Sequence, residues 1–129
     1  MIPSSHADIL DKKSFAHVAT LMPDGSPQVT PVWVDHADGK ILINSARGRL
    51  KDKNMERDKR VALSITDPDN PYRSLSLRGK VVEVRTEGAD AHIDKLAKKY
   101  MGVDKYPLRK PDEVRVIYVI DPEKVATMG

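Results

Sequence analysis

Four positive charges, Arg47, Arg49, Lys51 and Lys53, alternate along the stretch "SARGRLKDKNMERD" at residues 45–58. The stretch follows "KILIN" and precedes "RVALSIT", each of which predicts a buried strand. Cations this close together in a strand-to-strand connection either form a solvated face or hold an anion. Three details favour an anion. The charges fall where a strand hands over to a short helix predicted around Leu50 and Met55, and a helix N-terminus presents unpaired N–H groups. In a non-helical entry, Arg49 and Lys51 are two apart and can converge on one phosphate. Gly48 lets the backbone approach closely. A phosphate is bound by charge-assisted donors of this kind. Composition alone leaves both readings open.

No other group offers itself as a catalyst. His6, His17, His36 and His92 have no spacing suggestive of a metal site, and there is no HExxH. The chain has no cysteine, so disulfides and thiolate chemistry are excluded. The G-x-S-x-G elbow, the P-loop and the G-x-G-x-x-G fingerprint are missing. His17 lies in an apolar strand, which predicts a hydrogen-bonded structural histidine. An enzyme with this sequence therefore relies on a cofactor for its chemistry. Pro31 and Trp33 raise a related question. A proline inside a strand removes a ladder donor, which serves either to block edge pairing or to open the strand so that amides such as that of Val32 face a planar ligand. Trp33 is the sole tryptophan, and packing in a core or at an interface is its ordinary role.

The elements that must position these residues are mostly strands. Ser4 or Ser5 can cap a short helix through Ile9 and Leu10. Residues 14–21, 28–36 and 40–45 read as three strands, joined by the turns "MPDGSP" and "ADG", and so form an antiparallel meander. Residues 60–66 are a fourth strand, and the prolines and Asn70 of "DPDNP" predict an irregular loop. In residues 72–86 the apolar phase changes from Leu75 and Leu77 to Val82 and Val84, with Gly79-Lys80 at the switch, which predicts a bulge and a bend. Ala89, Ile93, Leu96, Ala97 and Tyr100 share one helical face, closed by Gly102 as a C-cap. Residues 105–111 read as an irregular basic loop, 113–120 as a sixth strand and 121–129 as a tail. The expected architecture is a mainly β, six-stranded antiparallel barrel with one or two packed helices, forming a single domain over residues 1–129.

Whole-chain properties bound the function. A length of 129 residues suits one domain, and a small barrel often leaves an apolar face for a partner. The net charge of +3, from 22 basic and 19 acidic interleaved residues, gives no case for nucleic acid. Neither does the 5% aromatic content, since no basic strand carries interleaved aromatics. No segment is apolar enough to span a bilayer, and the N-terminus lacks the pattern of a secretory leader, so a cytoplasmic location is expected.

From Phe15 to Val84, the meander "VATLMPDGSPQVTPVWV", the R-x-K-x-x-N pattern of Arg49, Lys51 and Asn54, and "DPDNPYR" together resemble the pyridoxamine 5'-phosphate oxidase-like split β-barrel proteins. Among these the sequence is most similar to the deazaflavin (coenzyme F420)-dependent oxidoreductases, over roughly residues 5 to 121. The resemblance implies a homodimer with an F420 or FMN cofactor in a groove at the dimer interface and a small-molecule substrate. Matched by position, Arg49 and Lys51 hold the cofactor phosphate and Asn54 braces that segment. Thr30, Pro31, Val32 and Trp33 lie along the ring system, with Asn44 and Ser45 on the neighbouring strand. Tyr72 and Arg73 match a segment that reaches cofactor bound mainly by the other subunit. The resemblance does not extend to the C-terminal substrate-binding extension of true pyridoxamine phosphate oxidases, so that activity is not expected.

Overall fold

Alternation in the apolar residues becomes a sheet whose two edges are neighbours in the chain. The structure, a computed structural model, describes residues 2–129. After a single 3-10 turn at Ala7–Asp11 come β1 (Phe15–Leu21), β2 (Pro27–Trp33), β3 (Asp35–Ala37) and β4 (Lys40–Ala46). Then follow α1 (Leu50–Arg57), β5 (Arg60–Asp67), β6 (Asn70–Arg85), α2 (Ala89–Met101) and β7 (Arg115–Met128). All pairings are antiparallel, in the order β2-β1-β5-β6-β7-β4-β3. β2 and β3 stand at opposite ends of that order, yet only Val34 separates them in the chain. One residue spans only a few ångströms, so the sheet must curl until its edges meet. The result is a split barrel, closed by chain connectivity rather than by a continuous ladder.

The expected mainly β barrel is present, with seven strands instead of six. The second predicted strand breaks at Val34, and its end becomes β3, paired with β4. Turn chemistry explains the hairpins. Asp24 accepts from the Ser26 N–H at 3.0 Å, and Asp38 and Gly39 both adopt positive φ, as a two-residue primed turn requires.

Four local expectations are corrected. No side chain caps the first helical turn, which is preceded by His6 and not by Ser4 or Ser5. "DPDNP" is a tight turn rather than an irregular loop: Asp67 pairs with Asn70 across Pro68-Asp69, and β6 continues through Pro71. The bend in β6 is real, with register shifts at Arg78/Gly79 and Val81/Glu83, and a Cβ on Gly79 would collide with the Asp121 carbonyl. The buried side nevertheless stays on the odd positions through Val81, leaving Val82 and Val84 exposed. The C-terminal tail is a strand: Val125 to Met128 pair with Leu77 to Ser74.

Inside the barrel, Val18, Val32, Ile43, Leu63, Leu75 and Tyr118 join one apolar core, which Met55 of α1 also enters. On the outer face of β4 and β7, Leu42, Ile117 and Val119 pack against Ala89 of α2. α2 buries Ile93, Leu96 and Ala97 and ends at Gly102 in the left-handed conformation, as its sequence predicts. No described helix is long and apolar enough to cross a membrane.

Candidate functional site

Strand alternation puts Val32 and Val34 in the core, so Pro31 and Trp33 face outward from β2. Trp33 is held on two sides. Tyr100 of α2 stacks on it at 5.1 Å with a 4° interplanar angle, and Tyr106 meets it edge-on at 5.9 Å. The Tyr100 hydroxyl accepts from the Val34 N–H at 3.0 Å and donates to the Ser14 carbonyl, which fixes the lower ring of the stack to the residue before β1 and the residue after β2.

Beside Trp33 lies a groove of about 190 Å³. Its walls are Phe15, Pro31, Val32, Trp33, Asn44, Ile93, Tyr106 and Leu108, and Arg49, Lys51 and Arg115 supply its charge. A larger hollow of about 500 Å³ lies on the outer sheet face beside His17, Val29, Ser64 and Ser76, but brings together no comparable set of charges.

The basic segment is fastened from beneath. Asp52, buried on α1, accepts from the Gly48 N–H at 2.9 Å, from Arg47 Nη1 at 3.2 Å and from the Tyr118 hydroxyl. Burial and the neighbouring Asp52 carboxylate push the Tyr118 phenol well above its ordinary range. Gly48 takes a φ of +89°, a conformation that residues with a Cβ rarely adopt. No side chain caps α1 at Arg49, so its first amides stay available to an anion.

Arg115 is buried at the start of β7. Its Nε donates to Asn44 Oδ1 at 2.9 Å and its Nη1 to Glu113 Oε1 at 2.8 Å. Its guanidinium carbon lies 5.2 Å from the Tyr106 ring centroid. Arg49 reaches the other Glu113 oxygen at only 3.8 Å. Lys51 makes no ion pair or side-chain hydrogen bond among the described residues. Burial, then the charges of Arg49 and Arg115, lower its amine below the ordinary lysine value. Two of the three cations thus share one carboxylate and the third has none among the described residues, an imbalance that a bound anion would relieve.

Of the residues singled out in the sequence, Pro31, Val32, Trp33, Asn44, Arg49 and Lys51 meet in this groove. Thr30 and Ser45 lie one position away on β2 and β4; by alternation they share the inward face, and their hydroxyls are buried without partners among the described residues. Asn54 does not line the groove. It donates to Thr20 Oγ1 at 3.0 Å and accepts from Arg57 at 3.0 Å, tying α1 to β1. Tyr72 is 78% exposed, and Arg73 is engaged with Asp8 and Asp67 at the start of β6. Neither lines the groove of its own chain. His17, expected as a hydrogen-bonded structural residue, is exposed on β1, because its parity points away from the core.

Sequence reasoning missed Arg115, Tyr106, Leu108, Ile93 and Phe15. Tyr106 and Leu108 were detectable as the apolar residues of an otherwise basic loop. That loop is anchored by Asp94, which accepts from the Tyr106 N–H at 2.8 Å and from Arg109 at 2.7 Å. Arg115 carried no local signal, since a single arginine in a strand ordinarily faces solvent.

Among solved structures, one named F420 Reductase is 31% identical, with a TM-score of 0.84, covering 97% of this chain and 98% of that one. HupZ of Group A Streptococcus (22% identity, TM-score 0.71, 98% and 94% of the two chains) shares the fold. So does a conserved hypothetical protein of Mycobacterium tuberculosis (22%, 0.75, 99% and 84%). No curated protein matches the sequence. The family model described as pyridoxamine 5'-phosphate oxidase matches residues 2–129, and the chain belongs to that family.

Proposed function

We propose that the groove holds a deazaflavin, coenzyme F420, and that the protein is an oxidoreductase passing hydride between this cofactor and a small organic acceptor. The observation that carries the reading is Lys51, desolvated and pressed by Arg49 and Arg115 with no anion of its own. The 31% identical structure named F420 Reductase supports it.

The donor set fits a phosphate-bearing, planar group. Arg49, Lys51 and Arg115 would hold the phosphate, and Pro31, Val32 and Trp33 would form a flat wall beside the ring. When bound, the cofactor supplies the hydride chemistry. The chain's own part is to orient and to exclude water. Trp33 cannot swing freely between Tyr100 and Tyr106, and Leu108 and Ile93 keep the remaining wall apolar. No side chain is assigned a catalytic role.

FMN is the second reading, since it presents the same phosphate. One observation favours the longer molecule. A hollow of about 370 Å³ continues past Arg49, lined by Arg47, Gly48 and Lys110 as well as Asp112 and Glu113. The polyanionic tail of F420 would meet Arg47 and Lys110 there. Lys105 and Arg109, which also carry positive charge in this loop, are occupied by Asp90 and Asp94 of α2.

A second copy of the chain belongs to this proposal. The apolar hollow beside His17 and Val29 would be covered by a partner, which would also bring Tyr72 and Arg73 towards the neighbouring groove; sedimentation as a stable monomer at micromolar concentration would remove this part. The test of the function is a pair of titrations with F420 and FMN, followed by spectra of the reduced cofactor with candidate acceptors. Binding without turnover of any acceptor leaves a carrier; binding of neither cofactor rejects the groove assignment.

A further inference from the structure

Asn44 sits between two groups whose hydrogen-bonding roles are fixed. Its Oδ1 accepts from Arg115 Nε at 2.9 Å, and its Nδ2 donates to the Ala89 carbonyl at 2.9 Å. An arginine cannot accept and a carbonyl cannot donate, so the orientation of the amide is settled. The same Nδ2 lies 3.0 Å from His92 Nδ1. That contact is a hydrogen bond only when Nδ1 carries a lone pair. The ring proton therefore sits on Nε2, where it is donated to Asp35 Oδ2 at 3.0 Å.

Asp35 is a strong anchor for this end. Burial opposes its charge, but bonds from His92, the His36 N–H and Lys95 outweigh burial and hold the carboxyl well below its ordinary value. The charged groups around His92 are Asp35 of β3, Lys95 of its own helix and, beyond Asn44, Arg115 of β7 with Glu113. A continuous chain of bonds thus runs from β3 through α2 and β4 to a cation in the groove, and His92 is its one histidine.

We propose that His92 is a positioning residue whose protonation releases Arg115 from its place in the groove. A proton taken from solvent onto Nδ1 sets one N–H against the Asn44 N–H. Turning the amide over relieves that clash, but then sets Nδ2 against Arg115 Nε and Oδ1 against the Ala89 carbonyl. Left as it is, the amide keeps Arg115 and the Ala89 carbonyl but sets N–H against N–H at His92; turned over, it accepts from His92 and leaves both Arg115 Nε and the Ala89 carbonyl without partners. Protonated His92 and Arg115 therefore compete for one amide, and each gains at the other's expense. The bond chain stands on the geometry alone; its consequence for anion binding rests on the function proposed above.

The sign is distinctive. By linkage, an anion that binds the aimed Arg115 binds more tightly when His92 is neutral, and so moves the His92 titration midpoint down. Simple attraction between an anion and a nearby imidazolium would move it up.

The experiment is long-range proton–nitrogen NMR on the ¹⁵N-labelled full chain from about pH 5 to about pH 9, first without ligand and then with inorganic phosphate. Expected are a neutral His92 protonated on Nε2, an Arg115 Nε–H resonance that shifts with the His92 midpoint, and a lower midpoint with phosphate. Asn44→Asp, which offers an acceptor to both neighbours, should raise the midpoint and abolish the phosphate effect. FMN affinity of the parent protein is expected to fall about tenfold on His92 protonation, and His92→Gln should remove that pH dependence. A neutral His92 protonated on Nδ1, an Arg115 signal indifferent to the titration, or an upward shift with phosphate would each overturn the proposal. If neither phosphate nor FMN binds, the anion site fails, and the ligand-free spectra alone decide the role of His92.

Discussion

The backbone N–H of Gly48 donates to Asp52 Oδ2 at 2.9 Å, so the loop that carries Arg47 and Arg49 is fastened by a buried carboxylate of the helix it leads into. The Tyr118 hydroxyl bonds the same carboxylate from inside the barrel. Asp52→Ala strands the buried Tyr118 hydroxyl, at a cost of about 1–3 kcal/mol, and leaves the exposed Gly48 N–H to water. The expected result is a loss of about 1–3 kcal/mol in urea unfolding and weaker cofactor binding. A loss below about 1 kcal/mol would mean the contacts contribute little.

Arg49 and Lys51 are expected to matter for binding and not for folding. Each alanine variant should weaken cofactor affinity about ten- to a hundredfold through loss of a charge-assisted bond. Lys51→Ala carries a signed corollary. Burial, with the neighbouring cations, disfavours the Lys51 charge in the cofactor-free protein, so removing it should not lower stability, and cofactor should raise the stability of the parent more than that of the variant. The emission of Trp33, the sole tryptophan, reports binding directly. Unchanged affinity in both single variants would return the segment to a solvated face.

Lys110 separates the two cofactors. It lines the hollow past Arg49 and does not line the groove beside Trp33. Lys110→Ala should reduce F420 affinity several-fold and leave FMN affinity as it was. The F420 advantage should also shrink as salt rises, because the tail contacts are solvent-exposed. Equal or tighter binding of FMN at low ionic strength rejects F420 while keeping the phosphate site.

Acid should unfold the protein through the base of β6. The Asp69 N–H, followed by Lys12, holds the Asp67 carboxyl down at about 2, and Arg73 adds to this. A depressed carboxylate contributes stability that is present above its unfolded value, near 3.8, and is lost as pH falls towards about 2. Asp67→Asn should therefore be less stable than the parent at neutral pH, and the difference should narrow over that window. Parallel stability curves down to about pH 2 would show that the ion pairs do not act through Asp67.

Most of the elements were legible in the amino-acid sequence because they are encoded locally. Alternation set the strands, Asp-Gly pairs set the turns, the period of Ala89, Ile93 and Leu96 set α2, and the spacing of Arg49 and Lys51 marked the segment proposed to hold an anion. The residues from Asp121 onward read as a tail because Pro122 and the charges break alternation. They become strand because β6, sixteen residues long, offers a second edge to pair with. Periodicity tells which side chains share a face, not which faces meet. The break at Val34 sends β2 and β3 to opposite ends of the sheet and forces the barrel to close. Only that closure brings Pro31, Asn44, Lys51, Tyr106 and Arg115, far apart in the chain, around one groove. The hydrogen bonds that set the Asn44 amide and the His92 proton exist only after those faces have met.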